Sequence, residues 1–170
     1  MSQEQTNPYK VVVAAENSPI SHNAVNFAFD LCSRLSCPFT LTVVYIIALN
    51  PSTNIPFLSN LEKANNLDIQ LEAKETVAVL QKYLEKFKTL TPRVNYTFVQ
   101  SEGYGTVGEN LTHYITVEHP DTNLLVIGSR DLEGLQKMIL SSTSEYVSRH
   151  IKVPVVIVKP HDKLDDCTSR

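Results

Sequence analysis

The 170-residue sequence lacks the features that mark membrane and secreted proteins. No apolar run approaches the roughly 20 residues that a transmembrane helix needs. The first eight residues are polar and lack the charged-then-apolar pattern of a signal peptide. We therefore expect a cytoplasmic protein that has no membrane partner.

An excess of basic residues is also absent. Fifteen Lys and Arg residues stand against eighteen Asp and Glu residues, which leaves a formal net charge of -3. Proteins that bind the nucleic-acid backbone need clustered basic side chains, because the release of counterions from the phosphates favours binding. We therefore expect no nucleic-acid partner.

Cysteine is scarce, with three residues and no C-x-x-C pair, and the five histidines lack the spacing of metal ligands. The sequence therefore predicts neither a disulfide framework nor a metal site. Cys32 falls on the apolar face of a predicted helix, which is typical of a buried and unreactive thiol.

Only five glycines are present, and the glycine motifs of common enzymes are missing. There is no G-x-x-x-x-G-K-[ST] phosphate loop and no G-x-S-x-G nucleophile turn. Residues 103–108 read G-x-G-x-x-G, but they follow the third predicted strand instead of the first, so a strand–helix turn is the better interpretation. We therefore do not predict an enzyme, although a pocket that holds ATP could hydrolyse it slowly.

The chain does contain a regular alternation of short apolar runs and stretches of helical period. It predicts strands at 11–15, 39–47, 94–99, 124–127 and 155–158, and helices at 19–35, 61–90, 107–115 and 142–150. Asn17 or Ser18 is the expected cap of the first helix, and 50–60 is predicted to be a loop. The apolar stripe of the first helix consists of Ala24, Phe27, Ala28, Leu31, Cys32 and Leu35.

Repeated strand–helix alternation indicates a parallel sheet with helices on both faces. Such sheets bind ligands at the carboxyl ends of their strands, where the strand order reverses. The loops after the first and fourth strands are the best candidates. We predict a single domain over residues 9–159, with flexible segments at 1–8 and 160–170.

The segment after the fourth strand is the most informative part of the chain. It leaves the strand at Gly128, continues with Arg130 and enters a helix at the hydroxyl cluster 142–144. A helix N-terminus with hydroxyl donors is suited to bind an anion. Ser142 and Glu145 also have the spacing of a capping box, which explains both residues without a ligand. Local chemistry favours capping over phosphate binding, and the two are compatible.

In their order, these motifs resemble the universal stress protein family. The resemblance rests on VVVAAENS at 11–18, Gly103 before a helix, LLVIGSR at 124–130, STSEYVSRH at 142–150 and KVPVVIV at 152–158. It implies a flavodoxin-like (Rossmann-like) α/β fold of five parallel strands in the order 3-2-1-4-5. It also implies a homodimer that pairs through Val153–Val158.

ATP-binding members of that family carry G-x2-G-x9-G-[S/T] after the fourth strand and an Asp at the end of the first. In this chain Asp131 and Ser141 replace two of the glycines, and Glu16 replaces the Asp. Val43 and Ile127 would flank the adenine. The resemblance implies binding of ATP or AMP, with Mg2+ as an accompanying ion, by Ala15, Glu16, Val43, Ile127, Gly128, Arg130, Asp131, Ser141, Ser142, Thr143 and Ser144.

The two replaced glycines bear on affinity. If the loop docks as in ATP binders, the Asp131 carboxylate faces a polyanion, and two unit charges about 4 Å apart repel by about 4 kcal/mol at an effective dielectric near ~20. Ser141 adds a side chain where close backbone approach is needed. Lost binding, weakened binding and a shift to a less charged nucleotide are all open, and we favour weakened binding. The alternative function is a dimeric interaction module of the same fold that binds no nucleotide.

Overall fold

A five-stranded, all-parallel sheet lies at the centre of the computed structural model, which describes residues 7–129 and 142–159. Its strands are β1 (Tyr9–Ala14), β2 (Phe39–Leu49), β3 (Tyr96–Tyr104), β4 (Leu124–Gly128) and β5 (Val155–Val158), arranged in the order β3-β2-β1-β4-β5. This confirms the predicted flavodoxin-like sheet and its strand order. Residues 1–6 and 160–170, most of the two predicted flexible segments, lie outside the described residues.

The helices are α1 (Pro19–Arg34), α2 (Pro56–Leu90), α3 (Val107–His113), which continues as a π-helical turn (Tyr114–Glu118), and α4 (Ser142–His150). Alternate strand residues point to opposite faces of the sheet. Val11, Val13 and Val43 therefore pack with α1 and α2, and we call this the α1–α2 core. Val12 and Val44 pack with α3 and α4 in the α3–α4 core.

The core-facing stripe of α2 consists of Val77, Leu80, Leu84 and Phe87, which are all buried. The start of this helix was predicted wrongly. It begins at Pro56, inside the segment predicted as a loop, since a proline is well tolerated in the first turn of a helix. The stripe of α1 also needs one correction: Phe27 is exposed, whereas Val25 and Phe29 are buried.

Strand β3 lies further along the chain than predicted, and it runs through Gly103 to Tyr104. The turn before α3 is therefore shorter than 103–108. It centres on Gly105, whose φ of 103° lies in the region that favours glycine. The first two strands also differ slightly from their predicted ends, because β1 starts at Tyr9 and β2 continues to Leu49.

Cys32 is fully buried in the α1–α2 core, as predicted, and burial raises the pKa of its thiol to about 11. Such a thiol stays protonated and unreactive near neutral pH. In the part of the chain that the structure describes, no helix is both long and apolar enough to cross a membrane.

Candidate functional site

A cavity of about 490 Å³ opens at the carboxyl ends of β1 and β4 and beside residues 44–46 in the middle of β2. This edge of the sheet lies where the strand order reverses, between β1 and its neighbour β4. The loop after β1 contributes to the cavity, and so do Gly128 at the end of β4 and Ser142 at the start of α4, whereas residues 130–141 of the loop between them lie outside the described residues. Its described lining consists of Ala14, Ala15, Glu16, Asn17, Ser18, Ile20, Ser21, Val44, Tyr45, Ile46, Thr76, Val107, Leu111, Ile127, Gly128, Ser142 and Thr143.

The turn between β1 and α1 is held by a small hydrogen-bond network. The Ser18 hydroxyl accepts from the Ser21 backbone N–H at 3.2 Å, so Ser18 is the N-cap of α1. The same hydroxyl donates to Oε1 of Glu16 at 2.9 Å. The backbone N–H of Glu16 donates to Oγ of Ser21 at 2.7 Å. The network fixes the Glu16 carboxylate in the cavity lining and leaves Ser18 with a structural role.

Gly128 ends β4 directly against the first turn of α1. A Cβ atom at this position would lie 2.7 Å from Cγ2 of Ile20 and 3.0 Å from its carbonyl oxygen. Real Cβ atoms do not come as close as 2.7 Å to another heavy atom, so any larger residue at this position would require Ile20 to shift. The close packing of β4 on α1 explains this glycine independently of any ligand.

Helix α4 brings Ser142 and Thr143 to the cavity. Ser144 does not line the cavity, because it is fully buried on the inner side of the helix. The capping box predicted for Ser142 and Glu145 is wrong. Ser142 is already helical, and the Glu145 carboxylate instead pairs with Nη2 of Arg149 one turn along at 2.8 Å.

A capping box does form at the start of α3, where the sequence analysis missed it. The Thr106 hydroxyl accepts from the Glu109 backbone N–H at 3.2 Å, and the Glu109 carboxylate accepts from the Thr106 N–H at 2.7 Å. The hydrogen bonds from Thr106 lower the pKa of Glu109. The T-x-x-E spacing was the available signal. The capped helix presents Val107 and Leu111 to the cavity.

Val43 lies away from the cavity, contrary to its predicted place beside an adenine. It is fully buried in the α1–α2 core, and its neighbour Val44 lines the cavity instead. Neighbouring side chains of a strand point to opposite faces of the sheet, so an assignment that is wrong by one residue places the side chain on the wrong face. Ala15, Glu16, Ile127, Gly128, Ser142 and Thr143 do meet in the cavity, whereas Arg130, Asp131 and Ser141 lie outside the described residues.

The cavity has two chemically different sides, because it extends over the end of the sheet. The apolar side adjoins the α3–α4 core and is formed by Ala14, Val44, Ile46, Val107, Leu111 and Ile127. The hydroxyl side adjoins α1 and α2 and is formed by Ser18, Ser21, Tyr45 and Thr76. Tyr45 and Thr76 were not predicted, since neither belongs to a motif.

Glu16 is the one charged side chain in the described lining of the cavity. The described residues contain no group of three His, Cys, Asp or Glu side chains placed to hold a metal ion. The described geometry therefore suits a ligand with a flat apolar part and several hydrogen-bonding groups.

Comparison with known proteins gives a consistent result. The sequence model of the universal stress protein family matches residues 9–159. A universal stress protein of Methanocaldococcus jannaschii is 20% identical over 154 residues, which cover 91% of this chain and 84% of that protein.

Solved structures show the same fold. A universal stress protein of Lactobacillus plantarum superposes with a TM-score of 0.66 at 20% identity, over 90% of this chain and 99% of that one. The universal stress protein of Archaeoglobus fulgidus in complex with dAMP gives a TM-score of 0.58 at 15% identity, over 90% and 98% of the two chains. At such identities structural likeness establishes the fold alone, whereas the family match spans most of the sequence: the chain belongs to the universal stress protein family.

Proposed function

We propose that the protein binds an adenine nucleotide, ATP or AMP, in the cavity at the carboxyl ends of β1 and β4. One observation carries this proposal: a single cavity of about 490 Å³ has an apolar side and is also lined by the first described residues of α4. Val44, Ile46 and Ile127 offer apolar surface to a flat base. Ser142 and Thr143, where the described part of α4 begins, offer hydroxyl and backbone donors to a phosphate.

The family relation supports the same ligand class. The Archaeoglobus fulgidus relative is in complex with dAMP, an adenine nucleotide with one phosphate group. In this chain an Asp, Asp131, falls on the loop expected to hold the phosphates. Repulsion of a phosphate grows with the charge of the nucleotide. We therefore expect AMP to bind more tightly than ATP, and Mg2+ to recover part of the ATP affinity by neutralising its phosphates.

We further propose that nucleotide binding is not coupled to catalysis. The side chain with the chemistry of a general base in the described lining is Glu16, and Ser18 holds its carboxylate in a network that also caps α1. Nucleotide occupancy would then act as a signal in a stress response. ATP turnover that is abolished by Glu16→Ala would contradict this part of the proposal.

The proposed homodimer pairs through Val153–Val158. Strand β5 is at the edge of the sheet, and its residues Val155–Val158 are all half-buried. An edge strand with apolar side chains is a ready surface for a second copy of the chain. Sedimentation should therefore give a dimer, and a monomer would count against this interface.

Calorimetric titration of the purified protein with AMP and with ATP–Mg tests the proposed ligand. Val107→Glu should weaken binding at least tenfold, because Val107 lines the cavity and an added carboxylate repels phosphate. Val117→Glu is the matched control. Val117 is an exposed valine of the adjoining π-helical turn that does not line the cavity.

Two results would overturn the nucleotide proposal. One is the absence of binding at millimolar AMP and ATP–Mg. The other is an equal loss of affinity in the Val107 and Val117 variants. A dimer without nucleotide affinity would instead support the interaction module, which is favoured by the contact of Gly128 with Ile20, since that contact accounts for the glycine without a ligand.

A further inference from the structure

Two hydroxyl-bearing residues on the hydroxyl side of the cavity take no part in a described hydrogen bond through their hydroxyls. Tyr45 comes from β2 and Thr76 from α2, and both residues line the cavity and are half-buried. Within residues 7–129 and 142–159, no hydrogen bond to either hydroxyl is formed. Ser18 and Ser21 differ from them, because their hydroxyls are engaged in the cap of α1 and in the turn before it.

Both residues belong to regular elements of the fold. Tyr45 packs against a small cluster beside the sheet that contains Ile47, Leu49 and Ala73. Thr76 is a half-buried residue of α2 and directly precedes the buried Val77. Polar groups on rigid elements pay little entropy when a ligand binds, so these hydroxyls are suited to recognition.

We infer that Tyr45 and Thr76 form a subsite for the ribose hydroxyls, so that the cavity selects a ribonucleotide over its deoxy analogue. This inference rests on the proposed function. With the base on the apolar side and the phosphate at Ser142, the ribose hydroxyls are the part of the nucleotide that has no assigned contact. They are neutral and both donate and accept hydrogen bonds, which suits a region that already contains the Glu16 carboxylate.

The test compares AMP, 2′-deoxy-AMP and 3′-deoxy-AMP by calorimetry. The wild type should bind AMP roughly 3- to 10-fold more tightly than at least one deoxy analogue, as expected for one hydrogen bond. Tyr45→Phe or Thr76→Val should reduce this ratio towards one while leaving the affinity for that analogue unchanged. Tyr104→Phe and Thr97→Val are matched controls on exposed positions of β3, and the ratio should persist in both.

Three outcomes decide the inference. Equal wild-type affinity for AMP and both deoxy analogues would overturn the subsite while the proposed function stands. So would a parallel loss of affinity for all three ligands in the Tyr45 and Thr76 variants, because it would indicate a role in shape alone. Failure of every nucleotide to bind would overturn the proposed function itself and the subsite with it. Thermal unfolding of each variant establishes that it is folded.

Discussion

The two faces of the sheet are covered by cores that differ in residue composition and helix length. The α1–α2 core contains stacked aromatic rings, with Phe29 and Phe87 centred 3.9 Å apart and Tyr96 at 5.3 Å from Phe29. The α3–α4 core is mainly aliphatic, and its helices are short: α3 has seven residues and α4 has nine, against 16 and 35 for α1 and α2.

Because of this difference, we expect the two cores to contribute differently to the stability of the fold and to ligand binding. Large rings and long helices cover the α1–α2 face of the sheet. On the other face, α3 and α4 begin beside the strand ends, so Val107 and Ser142 border the cavity instead of closing it. We therefore expect mutations of α1–α2 core residues that do not line the cavity to affect stability alone, and mutations of α3–α4 core residues that line it to affect stability and ligand binding together.

The largest expected effect comes from truncating one buried leucine on each face. Leu80 and Leu111 are both fully buried, so Leu80→Ala and Leu111→Ala should each lower the free energy of unfolding by about 2–5 kcal/mol. Leu111 also lines the cavity, and only its variant should weaken AMP binding. Denaturant unfolding and calorimetry measure the two effects. Weaker AMP binding by a folded Leu80 variant would break the proposed separation.

The next effect concerns the contact where β4 meets α1. Gly128→Ala places a Cβ atom 2.7 Å from Cγ2 of Ile20, and this overpacking should cost about 1–3 kcal/mol of stability. Ile20→Ala removes that methyl group, so the double variant should be destabilised by less than the sum of the single variants. Strict additivity in denaturant unfolding would show that the contact is not the cause.

A third prediction concerns the segment between β4 and α4. It changes Asp131 and Ser141, which lie outside the described part of the chain. Asp131→Gly with Ser141→Gly should tighten ATP–Mg binding by about tenfold, because the change removes a carboxylate and a side chain from the loop expected to hold phosphates. AMP should gain less, since it carries less charge. Asp131→Asn separates charge from backbone freedom. Unchanged ATP affinity in both variants would refute the argument.

The smallest effect is a pH dependence in the α1–α2 core. The His22 ring stacks on the Tyr83 ring, with their centres 3.9 Å apart. The Lys86 ammonium lies 3.6 Å from the centre of the Tyr83 ring. Burial, and secondarily the charge of Lys86, lowers the pKa of His22 from its ordinary value of 6.5. The unfolded chain therefore binds more protons below pH 6.5, and stability should fall as the pH drops from 6.5 through the lowered pKa.

His22→Phe tests this sign. Phenylalanine keeps a ring against Tyr83 and removes the titration, so the variant should lose less stability than the wild type as the pH falls below 6.5. Urea unfolding at several pH values between 7 and about 5 measures the difference. Parallel curves for the two proteins would exclude His22 as the source.

Local signals were enough to predict most of the fold. The β-branched run 11–13 is buried in β1, and β5 coincides with the predicted strand 155–158. Errors arose where two local signals compete. Pro56 was interpreted as part of a loop although it starts α2, and the helical period assigned Phe27 instead of Phe29 to the core. Small shifts in helix orientation change which residue is buried, and only packing decides them.

The site was predictable only in part. The motifs that suggested Ala15, Glu16, Ile127, Gly128, Ser142 and Thr143 lie far apart in sequence, and the parallel sheet brings them into one cavity. Val44 lines the cavity and the predicted Val43 does not, because a strand places neighbouring side chains on opposite faces of the sheet. Thr76 carries no motif, and its place in the cavity follows from the packing of α2 beside β2.

By itself, the sequence determined the class of fold, because apolar runs that alternate with helical periods can bury their surfaces in few ways. It also determined the order of the strands through its resemblance to the family. Only the tertiary structure decided which side chains share the cavity, why Gly128 must be a glycine, and where Tyr45 and Thr76 lie. These features depend on contacts between distant segments, and such contacts exist only once the sheet and its helices have packed together.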